Sequence, residues 1–345
     1  MMAQNEQNAS TIFRLVLGKR EERASDALSA GEWDVLQQIA LANVALIRLS
    51  DALEKTAASA SVHVLEAANA ERAKISQAIG LMGRVSALCV EHGIPYMFPK
   101  AFQHYPDMGH DIDLLVLDRS RKVDDLLTRE LGAEPEHDTL FNRIANKTGY
   151  NVPGYGAPLE VHHARLGHAG EYNTYPATLM ERAKQVSMEG VTSIAPSPED
   201  QLIVQAIQRV CAHFTVRLGD AIDSVLLLKS HNLDWDYVAK TTMRLGAFQA
   251  MGCYLAYVDQ IHRSLAQESI LPNAVSQMFP SNGCGKVTFQ GLHYQIPAFV
   301  ITSKIYPRKL VADLAARNWE GLGKTAIQLP VPFLVSLRRR IMAVA

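Results

Sequence analysis

The sequence predicts an α+β protein in which a mixed-sheet core is flanked by helical regions. Three observations predict it. Apolar residues recur at helical spacing through 33–53 and again through 75–90. His92-Gly93 breaks that pattern and opens a stretch at about 93–195 where strands and helices alternate. Ser197-Pro198-Glu199-Asp200 then starts a second helical run, with a capping residue, a proline at the first helical position and acids in the first turn.

The elements follow in chain order. Trp33, Leu36, Ile39, Val44, Ile47 and Leu49 form the first apolar stripe, and the alanine-rich stretch 56–74 suits a helix by propensity. Residues 11–92 therefore read as a helical bundle or partner-binding surface and carry no visible chemistry. Gly93 suits a helix C-cap before a strand at Ile94–Phe98. A strand at Ile112–Leu117, a helix over about 119–131 ending at Gly132, and strands at 140–146 and 157–163 complete the core. Helices are expected over 198–213, 217–230, 234–245 and 247–265. The tail from about 270 mixes apolar segments with proline and glycine and gives no clear assignment. The domain reading is a helical region at 1–92, a core at 93–195, a helical domain at 196–268 and a C-terminal segment of uncertain structure at 269–345.

Composition narrows the function. The chain of 345 residues is 48% hydrophobic and 20% charged, enough to bury a core. Its 34 Lys+Arg against 35 Asp+Glu show none of the basic excess of a dedicated nucleic-acid surface. The cysteines Cys89, Cys211, Cys253 and Cys284 form no CxxC pair, which argues against a disulfide framework or zinc ribbon. The polar start MMAQNEQNAS does not read as a signal peptide, and no apolar run is long enough to span a membrane. A cytoplasmic protein is the resulting expectation.

The most informative segment is Gly109-His110-Asp111-Ile112-Asp113-Leu114-Leu115-Val116. Side chains at i and i+2 of a strand share a face, so Asp111 and Asp113 project together while Ile112 and Leu114 pack the other side. Two carboxylates this close repel each other unless a cation lies between them. Oxygen ligands on a rigid strand suit Mg²⁺. Pro158-Leu159-Glu160-Val161-His162-His163 reads as a second strand with Glu160 and His162 on one face. Three convergent carboxylates can hold two metals, one activating the attacking group and the other neutralising a triphosphate leaving group. The alternative for a bare Asp-x-Asp at a strand start is a turn and a solvated edge.

The order of a helix, Gly-Ile-Pro, a strand, Lys100, a short helix, GHDIDLLV, a helix, a middle strand, LEVHH and SPEDQL resembles the uncharacterised bacterial nucleotidyltransferases of the DNA polymerase β-like superfamily. The resemblance runs from about Leu88 to Trp235. It implies the nucleotidyltransferase fold, with Mg²⁺ at Asp111, Asp113 and Glu160 and an NTP, ATP first, as co-substrate. It also implies Lys100, with Ala101 beside it, facing the nucleotide phosphates. His213, Arg217 and Asp223 would line the cleft from the helical side, and His104, His110 and His162 are further candidates for substrate or phosphate contacts. Superfamily members usually place Gly-Ser or Lys-Gly after the first strand, whereas this chain has Lys100-Ala101-Phe102. A methyl there crowds a phosphate. The arginine that tends to precede the Asp-x-Asp is also missing from Tyr105-Pro106-Asp107-Met108-Gly109-His110.

Other signals weigh less. Gly321-Leu322-Gly323-Lys324-Thr325 resembles the end of a phosphate-binding loop, but Asn318 stands where the motif needs its first glycine. Gly283-Cys284-Gly285-Lys286 is weaker still. His162, His163 and His168 suggest zinc only superficially, because adjacent strand residues point to opposite faces. Arg338-Arg339-Arg340, between apolar segments, reads as a docked terminal helix or as a small amphipathic membrane-surface or partner helix.

The sequence thus supports Mg²⁺-dependent transfer of a nucleoside monophosphate from an NTP to a hydroxyl or phosphate of a small-molecule, peptide or protein acceptor. Asp111 and Asp113 bind both metals in this reading. Glu160 binds the catalytic metal and helps to take the acceptor proton. The departures at Ala101 and before Asp111 leave two alternatives. One is a catalytically degenerate module that binds a nucleotide, peptide or partner protein. The other is a toxin-type enzyme acting on RNA or protein.

Overall fold

The computed structural model describes residues 2–18, 30–55, 62–118, 120–137, 139–331 and 334. The N-terminal region is helical, as its periodicity predicts: α1 (Met2–Val16), α2 (Ala30–Ala42), α3 (Leu46–Lys55) and α4 (Val62–Glu91). Residues 56–61 of the alanine-rich stretch lie outside the described residues.

The core follows with β1 (Tyr96–Met97), β2 (Ile112–Val116), α5 (Lys122–Leu131), β3 (Glu134–Pro135), α6 (Leu140–Ala145), β4 (Lys147–Asn151) and β5 (Leu159–His163). Gly132 ends α5 with φ 63°, the left-handed geometry that glycine adopts without strain. The expected strand at 140–146 is corrected. Thr139 accepts a hydrogen bond from the Asn142 amide and starts helix α6, and Asn146, left-handed at φ 54°, turns the chain into β4. Local capping overrides the β-propensity of this stretch.

Five strands form a sheet in the order β1-β2-β5-β4-β3, with β2 and β5 parallel and the other neighbours antiparallel. The mixed sheet with its flanking helices bears out the α+β prediction. All five residues of β2 are buried, which suits a central strand covered on both faces. Ile112, Leu114 and Val116 pack into one core with Leu159, Val161 and the α4 residues Ile79, Met82 and Val85. Leu115 and Met97, on the opposite face, join a second core built from Phe13, Leu36 and Leu49 and the helices that follow. Asp113 and Glu160 share that second face with Leu115 and His162, at the ends of the strands.

After α7 (Tyr175–Glu181), the hairpin of β6 (Lys184–Met188) and β7 (Val191–Ala195) leads to α8 (Pro198–Ala206). Ser197 caps α8 by accepting from the Asp200 amide, as its sequence predicts. The expected helix to 213 is present but changes pitch, becoming a π-helix over Ile207–His213. Next come β8 (Thr215–Val216), α9 (Leu218–Ser230), α10 (Trp235–Arg244) and α11 (Phe248–Ala266). Gly219 at the start of α9 lies against the α2–α3 turn so closely that a Cβ there would meet the carbonyl oxygens of Asn43 and Val44 at 2.6 and 2.7 Å. Asn43 secures the junction, accepting from the Leu218 amide and donating to Leu292 O.

The unassigned tail folds as α12 (Asn273–Met278), β9 (Thr288–Gln290), β10 (His293–Gln295), α13 (Ala298–Val300), a π-turn at Ile301–Ile305, α14 (Tyr306–Ala315) and α15 (Trp319–Gln328). β10 lies between β8 and β9. Asn318 caps α15 by accepting from the Gly321 amide, so Gly323-Lys324-Thr325 lies within a helix and cradles no phosphate. Cys253 and Cys284 form a disulfide with a Cα–Cα distance of 5.3 Å, which corrects the expectation drawn from cysteine spacing. The bridge joins α11 to the loop after α12, partners 31 residues apart in sequence. Cys89 and Cys211 are buried free thiols. No helix among the described residues is long and apolar enough to cross a membrane. Arg338-Arg339-Arg340 lies outside the described residues.

Candidate functional site

The ends of β2 and β5 open onto a cleft of about 530 Å³. Parallel pairing sets Asp113 directly across from Glu160, and Leu115 across from His162. The two acids therefore meet by strand register rather than by loop placement. Asp111 immediately precedes β2, is more exposed than Asp113 and lines the same cleft.

Cationic groups surround the acids. Lys100 Nζ donates to Asp113 Oδ1 at 2.7 Å, and Lys147 Nζ donates to Glu160 Oε1 at 2.6 Å. His162 Nε2 lies 2.8 Å from Asp113 Oδ1 and 3.0 Å from Glu160 Oε2. Burial alone pushes the carboxyl of Asp113 up, but Lys100 and His162 outweigh it and hold the group well below the usual carboxylate range. Glu160 is likewise pulled down to about 2, by His162 and Lys147 against burial. Asp111 moves the other way, raised chiefly by the negative charge of Asp113. Burial lowers the pKa of His162, and the hydrogen bonds its ring donates to Asp113 and Glu160 more than reverse it. His163 points to the opposite face, with Nε2 3.2 Å from Asp124 Oδ1, as strand alternation predicts. His168 is exposed at the cleft edge.

The donor chemistry fits a divalent ion. One ligand atom each from Asp113, Glu160 and His162 lie within 4.8 Å of one another, and Asp113 is only 3% exposed. A buried carboxylate beside a second one is stable only with positive charge alongside.

The opposite wall comes from the π-helix and the start of α9. The wider π turn carries Gln208, Arg209 and His213 on the cleft side, and π segments recur at functional sites. Crowding in the wall and the charge of Arg209 push His213 below its ordinary value. Asp220 is fully buried between Arg209 Nε at 3.1 Å and Arg217 NH2 at 3.2 Å. These two cations overcome burial and hold its carboxyl well down. The same NH2 of Arg217 also donates to His104 Nε2 at 2.9 Å, and His104 Nδ1 hydrogen-bonds Asp223. Arg48 of α3 closes the chain, pairing with Asp223 at 2.7 Å and donating to the His104 carbonyl.

Ten of the eleven sequence-derived candidates line this one cleft: Lys100, Ala101, His104, His110, Asp111, Asp113, Glu160, His162, His213 and Arg217. Asp223 does not. It lies behind His104 and borders a smaller neighbouring hollow. Lys100 bonds Asp113 rather than extending freely into the cleft. Sequence reading missed Arg209, Lys147, His293 and the Arg48 contact. Arg209 belongs to no motif, His293 falls in the unassigned tail, and Lys147 borders a segment read as a strand. Only the fold brings them here.

A family model described as an uncharacterised nucleotidyltransferase matches residues 29–262, more than half of the chain. The match extends beyond the 88–235 stretch that carried the resemblance and takes in α2 through most of α11. No curated protein matches the chain.

Proposed function

The chain belongs to this family of uncharacterised nucleotidyltransferases, and from that premise we propose that it transfers a nucleoside monophosphate from an NTP to an acceptor. ATP is the first choice of donor. The acceptor is a hydroxyl or phosphate oxygen on a small molecule, peptide or protein. That oxygen attacks the α-phosphorus, the bond to the bridging oxygen breaks, and pyrophosphate leaves.

The observation that carries this reading is the register pairing of Asp113 with Glu160 at the floor of a nucleotide-sized cleft. Asp113, Glu160 and Asp111 would hold the divalent ion, Mg²⁺ by the resemblance. Such an ion supplies neutralisation of the polyphosphate and a lower pKa for the attacking oxygen.

The remaining residues bind and orient. Lys100, beside Asp113, and Arg217, across the cleft, present positive charge to the phosphates. Arg217 takes the part of the arginine missing before Asp111. Asp220 holds its Nε and NH2 and His104 shares the NH2, so the group is pre-oriented and loses little freedom when an anion binds. His110 and His213 offer further contacts along the cleft. The core at 93–195 supplies the acidic floor in this reading, and the helical domain at 196–268 the basic wall.

Calorimetry with a non-hydrolysable ATP analogue and Mg²⁺ tests the reading. Wild-type protein is expected to bind the pair, and Asp113→Asn to lose the metal-dependent part. Absence of any nucleotide binding by the wild type would count against it.

A further inference from the structure

We propose that His162 is a direct protein ligand of the divalent ion held at Asp113 and Glu160, and that its imidazole biases the site toward Mn²⁺ over Mg²⁺. The inference rests on the metal-site reading above and adds a ligand and a metal preference to it.

Strand geometry sets the position. On β5, Glu160 and His162 share a face, and on β2 Asp113 shares that face with Leu115. Going inward from the Asp113–Glu160 pair, the next positions are Leu115 and His162. Leu115 is fully buried and offers no donor atom, so the inner side of the pair is closed by the imidazole. Asp111 stands at the outer mouth.

One imidazole nitrogen serves both acids. Nε2 of His162 is 2.8 Å from Asp113 Oδ1 and 3.0 Å from Glu160 Oε2. The ring is 6% exposed, so packing holds it on the carboxylates. Its neighbour His163 faces Asp124 on the other side of the sheet and is no competing ligand. A purely electrostatic clamp would not require this residue, because Lys100 and Lys147 already give each acid its own ammonium partner. Nε2 points between the two carboxylates and donates its N–H to them; a divalent ion at that point would displace the proton and meet the nitrogen lone pair, which neither protonated lysine offers.

That lone pair changes metal choice. Mg²⁺ is hard and takes oxygen ligands almost exclusively. Imidazole nitrogen suits first-row transition ions, and Mn²⁺ accepts oxygen and nitrogen together. Two carboxylates and one imidazole therefore raise affinity for Mn²⁺ relative to Mg²⁺, compared with the same site lacking the ring.

Pulsed electron paramagnetic resonance of the full-length protein loaded with Mn²⁺ tests this without turnover. Echo modulation from a directly coordinated ¹⁴N is expected in the wild type, and it should change to the ¹⁵N pattern when histidine is ¹⁵N-labelled. His162→Gln is expected to bind Mn²⁺ without the nitrogen signal. In calorimetry that variant should lose about tenfold of the Mn²⁺-to-Mg²⁺ affinity ratio. Should His162→Gln fail to fold, the labelled wild type still decides between nitrogen and all-oxygen coordination. Mn²⁺ bound with no nitrogen signal in the wild type overturns the proposal and leaves the nucleotidyltransferase reading standing. An unchanged signal in His162→Gln also overturns it, assigning the nitrogen to another histidine of the cleft. Failure to bind Mn²⁺ at all overturns both.

Discussion

Asp113 on β2 and Glu160 on β5 stand directly opposite each other in parallel register. The pairing explains how two acids far apart in sequence come to stand side by side. It also makes the site sensitive to register, because a slip of one residue in either strand would turn that strand's carboxylate into the apolar core on the other face. The buried run Ile112, Leu114 and Val116 opposes such a slip. The same hydrophobic alternation that folds the sheet therefore aims the acids.

Arg217 is expected to act on nucleotide binding more than on folding. Arg217→Gln removes the guanidinium that Asp220 and His104 hold toward the cleft. The KM for the NTP should rise about tenfold or more, the scale of one charge-assisted contact, with a smaller change in kcat. Steady-state kinetics at fixed metal concentration checks this. An unchanged KM would remove Arg217 from the phosphate-binding wall.

Asp220 links stability to pH. Its folded carboxyl lies below the free value of 3.8, because Arg209 and Arg217 outweigh burial. A group depressed in the folded state stabilises it above the unfolded pKa and loses that contribution as pH falls through the folded value. Urea denaturation from pH 7 down to 3 should therefore show stability falling below about pH 4. Asp220→Asn should be less stable at pH 7 by about 3 kcal/mol, since the buried Arg209 and the partly buried Arg217 lose their shared partner. Its acid-side slope should also be shallower. Parallel curves for the two proteins would refute the assignment.

Gly219 should tolerate no side chain. Gly219→Ala drives a methyl into the Asn43 and Val44 carbonyls and pushes α9 away from the α2–α3 turn, at a cost of about 1–3 kcal/mol. Gly323→Ala is the control, because no heavy atom lies within 4 Å of its new methyl and the position is an exposed turn of α15. It should be neutral or gain up to about 1 kcal/mol from helix propensity. Equal melting temperatures for the two variants would contradict the close packing at Gly219.

The legible parts of this molecule are those where local sequence and tertiary need agree. Ser197-Pro198-Glu199-Asp200 starts α8 and Gly132 ends α5, because capping chemistry is local. The alternation in DIDLLV and LEVHH put Asp113, Glu160 and His162 on one face, since strand period fixes side-chain direction. Residues 140–145 misled because Leu140 and Phe141 are apolar yet exposed on a short helix set by Thr139. The π-helix gave no signal, because the sequence predicts a continuous helix over 198–213 and says nothing of a change in pitch at Ile207–His213. Cys253–Cys284 and the Arg48–Asp223 pair are long-range contacts, invisible until α11 and α3 have found their neighbours.

The central claim is that this cleft transfers a nucleoside monophosphate with Asp113 and Glu160 at its metal centre. The most direct measurement is pyrophosphate release from NTPs with Mg²⁺ or Mn²⁺, comparing wild type with Asp113→Asn and Glu160→Gln. The wild type is expected to release pyrophosphate, matched by nucleoside monophosphate attached to an acceptor, and either variant to lose at least about 100-fold of that activity. Release at the wild-type rate from folded Asp113→Asn would contradict that claim.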